Sequence, residues 1–573
     1  MTDKIKSANI LFGKNMNGCG IVKNFYLKPK FFSTIKNYSK DQLVKDIVAG
    51  VIVAIIALPL SIALALASGV EPACGVYTAI FAGFMVSFLG GSRVQIAGPT
   101  AAFATVVAGI VATQGMSGLI IATILAGIFL VLMGVFKLGS LIKFIPYTIT
   151  TGFTAGIAVT IFIGQIKDFL GLQYADGVKP IETIEKIEAN IHAIGTFSWQ
   201  ALLVGAVSLA ILIIYPKIEK RVPPSLIAVI IGAVMVKFIP GLDNGVFTIG
   251  EIYTIPSGFP EFALTGLDIS FETIKAVLPD AFTIAILAAI ESLLSCVVAD
   301  SMVNSRHNSN AELVAQGVGN IASVLFGGIP ATGAIARTAA NAKNGGRTPV
   351  AGMVHAVVLL LVLLFLMPLA GLIPMPTIAA ILFMVAFNMS EYKKFIHILK
   401  SAPKNDIIVM VITFGLTVIF DLVIAIEVGM ILAAMLFMKR MSEETAVKGW
   451  KYVDSENDAD SLDLKVVPKN VRVYEITGPM FFGAADKILD IQLKEYTKCL
   501  VLRMRGVPAI DATAMNSLES LYKKCQDKGV SLVLSHVNEQ PLDAMKKAGF
   551  YKKVGAENFC AHIDEALECA LKK

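Results

Sequence analysis

The sequence predicts a membrane all-α protein of about fourteen spans in two inverted seven-span repeats, followed by a small α/β domain. Three observations support this prediction. Hydrophobic residues make up 55% of the 573 residues and charged residues only 16%, which is more apolar sequence than a soluble fold needs. Two apolar spans are interrupted by Gly and Pro at comparable places in the two halves. After Arg440 an acidic stretch leads into a water-soluble pattern.

The first interrupted span to consider is 329–348, which carries Pro330, Gly333 and Arg337. An arginine in the hydrocarbon costs several kcal/mol unless it faces protein or a water-filled cavity, so this segment is expected to be a functional interior. Residues 334–344 can form a half-helix whose amino end lies inside the membrane. Such an end attracts anions.

A second stretch, 92–111, has the same construction, with a Gly98-Pro99 break and a short helix from Thr100. Pro is suited to the start of a helix. Paired broken spans are the best sequence indication of a carrier's binding site, where discontinuous helices meet near the bilayer midplane. We therefore expect the chain to be organised around this meeting point.

The chain is expected to divide into four parts. These are a basic cytoplasmic arm (1–46), a transmembrane domain (47–440), a linker (441–467) and a cytoplasmic domain (468–573). The predicted spans are 47–67, 74–90, 93–112, 118–137, 141–165, 197–215, 223–239, 278–299, 311–326, 330–344, 349–371, 374–389, 405–421 and 422–438. Lys and Arg collect in alternate loops, which predicts that both termini are cytoplasmic. An odd number of spans per half then inverts one half relative to the other.

The carboxyl-terminal part reads as strands at 471–477, 499–505 and 531–537, with helices at 514–526 and 540–548. The seven cysteines of the chain show no paired spacing. That argues against a disulfide framework or a zinc site and agrees with a reducing cytoplasm. The Lys-rich first forty residues lack the pattern of a cleavable signal peptide.

Glu291 is the acid that lies well inside a predicted span, so it should be either protonated or paired. Two alternatives stay open: a group that couples transport to an ion, with Ser295 on a neighbouring helix face, or a structural ion pair with Arg337. Arg337 could bind the transported anion or merely bond the carbonyls of the broken helix. Thr332 and Thr338 flank the break and could serve only as caps.

Ser309 and Glu312 match a capping box at the start of the ninth span, and His307 in the same loop is expected to be solvated. We find no Ser-His-Asp set, phosphate loop or metal-ligand cluster, so neither an enzyme, a cofactor nor a metal site is expected. There is no basic face with interleaved aromatic residues, which argues against nucleic-acid binding.

Several segments resemble bacterial members of the SulP sulfate-permease family. They are GGSRVQIAGPTAAF (90–103) within the longer stretch 57–103, AAIESLLSCVVADSM (288–302) and FGGIPATGAIARTAANAKNGGRTPVAGMVHA (326–356). The tail resembles that family's STAS domain through ITGPMFFGAADKI and VPAIDATAMNSL. The resemblance implies a core and a gate domain, a homodimer in the plasma (inner) membrane, and transport of anions such as sulfate, bicarbonate or dicarboxylates. APKNDIIVM and NMSEYKK resemble a C4-dicarboxylate member.

The resemblance also implies a site. It places the anion at the two breaks, with the first span lining the pocket, at Leu60, Ala97, Gly98, Pro99, Thr100, Gly333, Ala334, Ile335, Ala336 and Arg337. Sodium-coupled bicarbonate members have Asp and Thr where this chain has Glu291 and Ser295, which favours a proton over sodium as the coupling ion. In the tail, Thr513 stands where related domains carry a phosphorylated residue, although Thr and Asp there are also ordinary helix caps.

The expected function is a secondary active, proton-coupled anion transporter, working as a symporter without a cofactor. Three alternatives are kept: a sodium-coupled bicarbonate transporter, an anion channel or exchanger on the same scaffold, and a membrane-tethered signalling protein that acts through its tail.

Overall fold

The computed structural model describes residues 27–140, 146–175, 177–178, 180–219, 222–255, 258–263, 270–420, 422–449 and 467–573. Most of the predicted basic arm and most of the predicted linker lie outside these ranges. The chain forms two compact units, Met1–Gly429 and Met430–Lys573, and the boundary falls inside one helix.

The first unit is helical, as its apolar composition predicts. Its helices before the second break are α1 Lys30–Thr34, α2 Lys40–Ala67, α3 Pro72–Leu89, α4 Ala101–Val135, α5 Tyr147–Leu170, α6 Thr183–His192, α7 Trp199–Ile218, α8 Pro224–Phe238, α9 Ile249–Ile252, α10 Phe271–Val303 and α11 Ser309–Leu325. The remaining helices are α12 Ile335–Lys343, α13 Val350–Phe365, α14 Met367–Ala370, α15 Met375–Met389, α16 Tyr392–Ser401, α17 Lys404–Ile419 and α18 Leu422–Glu444.

Among the described helices, six are long and apolar enough to cross a membrane alone (α2, α3, α4, α5, α7 and α10), and Met375–Ser401, which contains α15 and α16, makes a seventh candidate. The shorter α8 and α13 are also apolar. The third and fourth predicted spans form the single element α4, with a break at Gly115, where φ is 68°. Fourteen crossings and their inverted arrangement stay predictions.

Both predicted breaks leave the helical path. Residues 92–100 and 326–334 are not helical, and each contributes a two-residue strand, β1 Ala97–Gly98 and β2 Thr332–Gly333. The strands pair antiparallel, with Ala97 opposite Gly333 and Gly98 opposite Thr332. A tertiary pairing thus satisfies backbone groups that lipid could not.

Small residues let the surrounding helices approach closely. A Cβ on Gly75 of α3 would overlap the carbonyl oxygen of Ser61 on α2, and one on Gly127 of α4 would overlap the carbonyl oxygen of Gly317 on α11. Such contacts are typical of helix pairs in membranes, where close van der Waals packing replaces the hydrophobic effect. They pack α2, α3, α4 and α11 around the strand pair.

The second unit contains a five-stranded sheet in the order β3-β4-β5-β6-β7. The strands are β3 Ala446–Gly449, β4 Val471–Thr477, β5 Cys499–Gly506, β6 Ser531–Ser535 and β7 Phe559–Cys560, and the helices are α19 Asp486–Leu489, α20 Ala512–Asp527, α21 Glu539–Lys547, α22 Phe550–Val554 and α23 Ile563–Leu571. Only β3 runs antiparallel to its neighbour. The three predicted strands and two predicted helices are found; β3 was not predicted and falls in the expected linker.

Two cysteines in this unit are structural. Cys499 and Cys525 are fully buried in its apolar core. Burial raises the pKa of the Cys499 thiol to about 12 and that of the Cys525 thiol to about 11. Both side chains are therefore neutral and pack like small apolar residues.

Candidate functional site

The strand pair brings the amino ends of two half-helices together. β1 leads into α4 and β2 into α12, so the pairing of the two strands places the starts of both helices at one junction. The Ala334 amide donates to the Ile96 carbonyl oxygen at 2.8 Å. The Ile96 amide donates to Thr338 Oγ1 at 3.0 Å. The first-turn N–H groups of both helices have no intrahelical acceptor and carry partial positive charge, so two such ends adjoin here.

Arg337 lies in the first turn of α12 and is only 1% exposed. Its Nη2 donates to Ser61 Oγ at 3.2 Å and to the Pro99 carbonyl oxygen at 3.3 Å. Its Nε and Nη1 have no hydrogen-bond partner among the described residues. The guanidinium therefore joins α2, the first break and α12. One predicted alternative was that Arg337 bonds a carbonyl of the broken helix. Arg337 does bond such a carbonyl, that of Pro99, but its Nε and Nη1 donors remain unused within the described part of the chain.

Gly98 is required by this arrangement. A Cβ built on it would overlap Nη1 of Arg337 and would lie 3.5 Å from the Cα of Ala79 on α3. The glycine thus lets the guanidinium lie directly against the backbone of the first break.

Glu291 of α10 links the two breaks through their threonines. Its Oε2 accepts hydrogen bonds from Thr100 Oγ1 at 3.0 Å and from Thr332 Oγ1 at 2.9 Å. Both Glu291 and Arg337 lie in the described part of the chain, and no ion pair joins them. The alternative of a structural Glu291–Arg337 pair is therefore wrong.

The junction has a buried side and an accessible side. Ala97, Gly98, Pro99, Gly333 and Ala334 are buried, as is the Arg337 side chain. Leu60, Thr100 and Glu291 are partly exposed, Ala336 is exposed, and Ile335 is 45% exposed. The accessible face therefore holds the start of α12 and parts of Thr100 and Glu291, while the guanidinium is buried.

The serines near Glu291 have other partners. Ser295 Oγ donates to Thr338 Oγ1 at 3.3 Å, and Ser292 Oγ accepts from the Gly333 amide at 3.0 Å. Both side chains fasten the second break to α10. Thr338 holds Ile96 and Thr332 holds Glu291, so neither threonine caps α12, whose amino-terminal cap residue is Ala334.

Glu312 corrects a sequence prediction. α11 is capped by Asn308, whose Oδ1 accepts from the Ala311 amide, so the predicted Ser309–Glu312 capping box does not form. Glu312 is instead fully buried and accepts from the Gly91 and Ser92 amides at 2.8 and 3.1 Å.

Gln95 connects Glu312 to the strand pair. Its Nε2 donates to Glu312 Oε1 at 2.8 Å, and its Oε1 accepts from the Cys296 thiol. A Cβ on Gly333 would overlap the Gln95 amide. Sequence reasoning missed this support because Glu312 matched a local motif, and only the fold reveals a partner more than two hundred residues away.

The loop after α10 is also ordered differently from the prediction. His307 Nδ1 lies 2.7 Å from Asp300 Oδ2, and His307 Nε2 lies 2.9 Å from Ser309 Oγ. The histidine is paired rather than solvated, and a Ser–His–Asp chain that the sequence did not indicate closes the loop between α10 and α11.

In the second unit, Asp511 caps α20 by accepting from the Ala514 amide at 2.8 Å. Thr513 is the second residue of that helix and is exposed. Asp511 therefore performs the capping that the sequence left open between the two residues, and the Thr513 hydroxyl is accessible.

Comparisons with known proteins match both units. The model of the sulfate permease family matches residues 43–413, and the STAS domain model matches residues 464–566. A Bacillus subtilis protein provisionally named sulfate transporter YvdB is 41% identical over 546 residues, covering 94% of this chain and 99% of its own. The bicarbonate transporter BicA of Picosynechococcus is 31% identical, covering 92% and 94%.

Solved structures show the same fold. The murine anion transporter Slc26a9, in its inward-facing state, superposes with a TM-score of 0.86 over 99% of this chain and 98% of its own, at 17% identity. The transmembrane domain of a cyanobacterial BicA gives a TM-score of 0.59 at 29% identity over 69% of this chain and 98% of its own.

Proposed function

The chain belongs to the sulfate permease family of anion transporters, and we propose that it is a secondary active carrier that takes up a small anion together with protons. The candidate substrates are sulfate, another inorganic anion such as bicarbonate, or a dicarboxylate. The anion binds between the starts of α4 and α12, on the accessible side of the strand pair.

One observation carries this proposal: two helix amino ends and a buried guanidinium converge at one junction. Each helix end is equivalent to about half a positive elementary charge, so with Arg337 about two positive charges act on this point. A potential of that size in a low-dielectric surrounding favours an anion over a neutral molecule or a cation. Leu60 supplies an apolar wall, and the free first-turn amides of α12 supply donors.

Coupling to protons follows from the position of Glu291. An ionised carboxylate beside the same threonines that flank the anion repels the anion, and a protonated one does not. Binding of the anion and of a proton therefore favour each other. That mutual dependence is the physical basis of symport.

A panel of labelled anions in proteoliposomes tests the function. Sulfate, bicarbonate, succinate and fumarate are each offered with an inward proton gradient, without one, and with the gradient collapsed by an ionophore. We expect saturable uptake of at least one anion that rises with the gradient. Uptake that does not saturate would favour a channel, and uptake that needs a second anion inside would favour an exchanger. Either result overturns the proposal.

Sodium-coupled bicarbonate transport is the second candidate. It is favoured by the likeness to BicA and by the oxygen-rich group of Glu291, Thr100 and Thr332, because hydroxyl and carboxylate oxygens suit hard cations. A sodium gradient added to the same panel separates the two, since it alone would then drive bicarbonate uptake and a proton gradient would not.

We further propose a homodimer in the plasma membrane with both termini cytoplasmic, in which the STAS domain adjusts the transport rate. Blue native electrophoresis and labelling of single cysteines from either side of the membrane test these statements. If deletion of the tail left transport unchanged while a cytoplasmic signalling output was lost, the tail would serve signalling instead.

A further inference from the structure

His355 is a buried histidine that the proposed mechanism does not use. It lies on α13, has no exposed surface, and neither ring nitrogen has a hydrogen-bond partner among the described residues. A neutral imidazole has one donor and one acceptor, and burying both without partners costs free energy. The position therefore needs an explanation.

The ring faces the back of the anion site. A Cβ built on Gly83 of α3 would lie 3.7 Å from His355 Nδ1 and 3.1 Å from the Ala97 carbonyl oxygen of β1. The edge of the imidazole and the first strand therefore both lie close to Gly83.

Arg337 Nη1 reaches the same face of α3 one turn away. It lies against Gly98, and the point where a Gly98 Cβ would lie is 3.5 Å from the Cα of Ala79. Ala79 and Gly83 are four residues apart, which is about 6 Å along a helix. The two places on α3 that these side chains approach are therefore about 6 Å apart, which is close to the reach of two hydrogen bonds of about 2.8 Å through one water.

We infer that His355 positions Arg337 through one buried water. The water accepts a hydrogen bond from Nη1 and donates to the unprotonated ring nitrogen of His355 and to the Ala97 carbonyl oxygen. Three polar partners are what buried waters typically have. The inference rests on the proposed role of Arg337 in anion binding, and it assigns His355 a positioning role, since it reaches the anion only through the guanidinium.

Different groups then hold the two ends of the guanidinium. Ser61 and Pro99 fix Nη2, and the water with His355 fixes Nη1. With both ends held, the charge stays directed at the helix starts. Without His355 the guanidinium turns away, so the anion binds more weakly while the conformational cycle continues.

Transport kinetics of His355→Leu and His355→Asn test this. We expect His355→Leu to raise the apparent KM roughly tenfold with little change in maximal rate, because a hydrogen bond that holds a charged group is lost. The amide of Asn can take the position of Nδ1, so His355→Asn should recover most of the affinity. Leu359→Ala, one turn along α13 at an equally buried residue, is the packing control and should lower stability but not affinity. An unchanged KM in His355→Leu, or no recovery by Asn, overturns the inference.

A thermal-unfolding cycle tests the pairing without transport. The wild type, His355→Leu, Arg337→Gln and the double variant are purified in detergent and their melting temperatures compared. Residues that share a water give non-additive shifts, whereas independent residues add. Additive shifts overturn the water bridge, even where Arg337→Ala proves essential for transport. Non-additive shifts together with normal anion binding in Arg337→Ala would reject the proposed anion site and keep the pairing.

Discussion

The two broken spans share a backbone plan and differ in charge and exposure. Each has a two-residue strand followed by a helix, and the strands pair with each other. In the first break the opening turn of the helix, 101–104, is buried, and Thr100 is the nearest polar side chain. In the second, Ile335 and Ala336 are exposed and Arg337 carries the charge. Both helix starts contribute to the positive field, and in the proposed site the anion reaches this field at the second break, where the start of the helix is exposed.

The supports of the two breaks differ as well. Glu312 on α11 holds the loop that leads into β1, whereas Ser292 and Ser295 on α10 hold β2 and the start of α12. The helix that carries the coupling candidate Glu291 is thus fastened to the break that carries the charge. A movement of α10 would reach α12 first.

Removing the charge of the second break should have the largest effect on anion uptake. Arg337→Ala leaves two helix ends but no guanidinium, and we expect a loss of anion uptake on the order of 100-fold, because the partner charge of a buried ionic site is gone. Uptake and surface expression are measured together, with Arg337→Lys as the control that keeps charge but loses the Nη contacts. Normal affinity in Arg337→Ala would reject the site.

The two strand glycines should differ in their tolerance. Gly98→Ala pushes a methyl group into the guanidinium, whereas Gly333→Ala pushes one into the Gln95 amide, which lies outside the proposed anion site. We expect Gly98→Ala to raise the KM roughly tenfold and Gly333→Ala chiefly to lower stability, since strained close contacts cost about 1–3 kcal/mol. Equal effects on KM would mean that the halves contribute equally to binding.

Glu291→Gln should separate binding from coupling. The amide can still accept from Thr100 and Thr332 but cannot ionise, so we expect uptake to lose most of its dependence on the proton gradient while exchange of labelled anion continues. Accumulation driven fully by protons in this variant would contradict the coupling role. Ser295→Ala is the matched control, because its hydroxyl bonds Thr338 instead of the carboxylate.

Glu312→Gln should test the support of the first break. Gln keeps one acceptor but loses the charge that two amides and Gln95 share, and the cost should be about 2 kcal/mol in stability. The melting temperature should fall and the apparent KM should change little. A large change in KM without loss of stability would show that Glu312 acts on the anion directly.

The tail should have the smallest effect. We expect Thr513→Asp, and deletion of residues 446–573 including β3, to change the maximal rate about twofold and leave the KM unchanged. Thr513→Ala is the control. A changed KM in Thr513→Asp would mean that the tail acts on the anion site itself.

The membrane fold with its carboxyl-terminal STAS domain followed from the sequence, and the fold comparisons confirm both. The two breaks could be located because Gly98-Pro99 and Pro330 with Gly333 interrupt apolar spans. Arg337 could be singled out because an arginine inside the membrane costs free energy unless it has a function or a polar surrounding. Glu291 was found by the same reasoning.

The partners could not be predicted. Ser61 and Gln95 look like ordinary span residues and Glu312 looks like a helix cap, yet each bonds an atom that is distant in sequence. The pairing of β1 with β2 is likewise invisible in two residues per strand. One local motif gave a wrong prediction. Ser309 and Glu312 have the spacing of a capping box, but Asn308 caps the helix. The carboxylate of Glu312 instead accepts from the buried Gly91 and Ser92 amides.

The buried hydrogen bonds from Gly91 and Ser92 to Glu312 also constrain how the protein is made. The acceptor emerges from the ribosome about 220 residues after the donors, and β2 follows β1 by a similar length of chain. During that interval the first break has no partner for its backbone or for Gln95. The first break of the nascent chain therefore stays incomplete in the membrane until α11 supplies Glu312 and, after it, β2 and α12 supply the partners of β1 and Ile96.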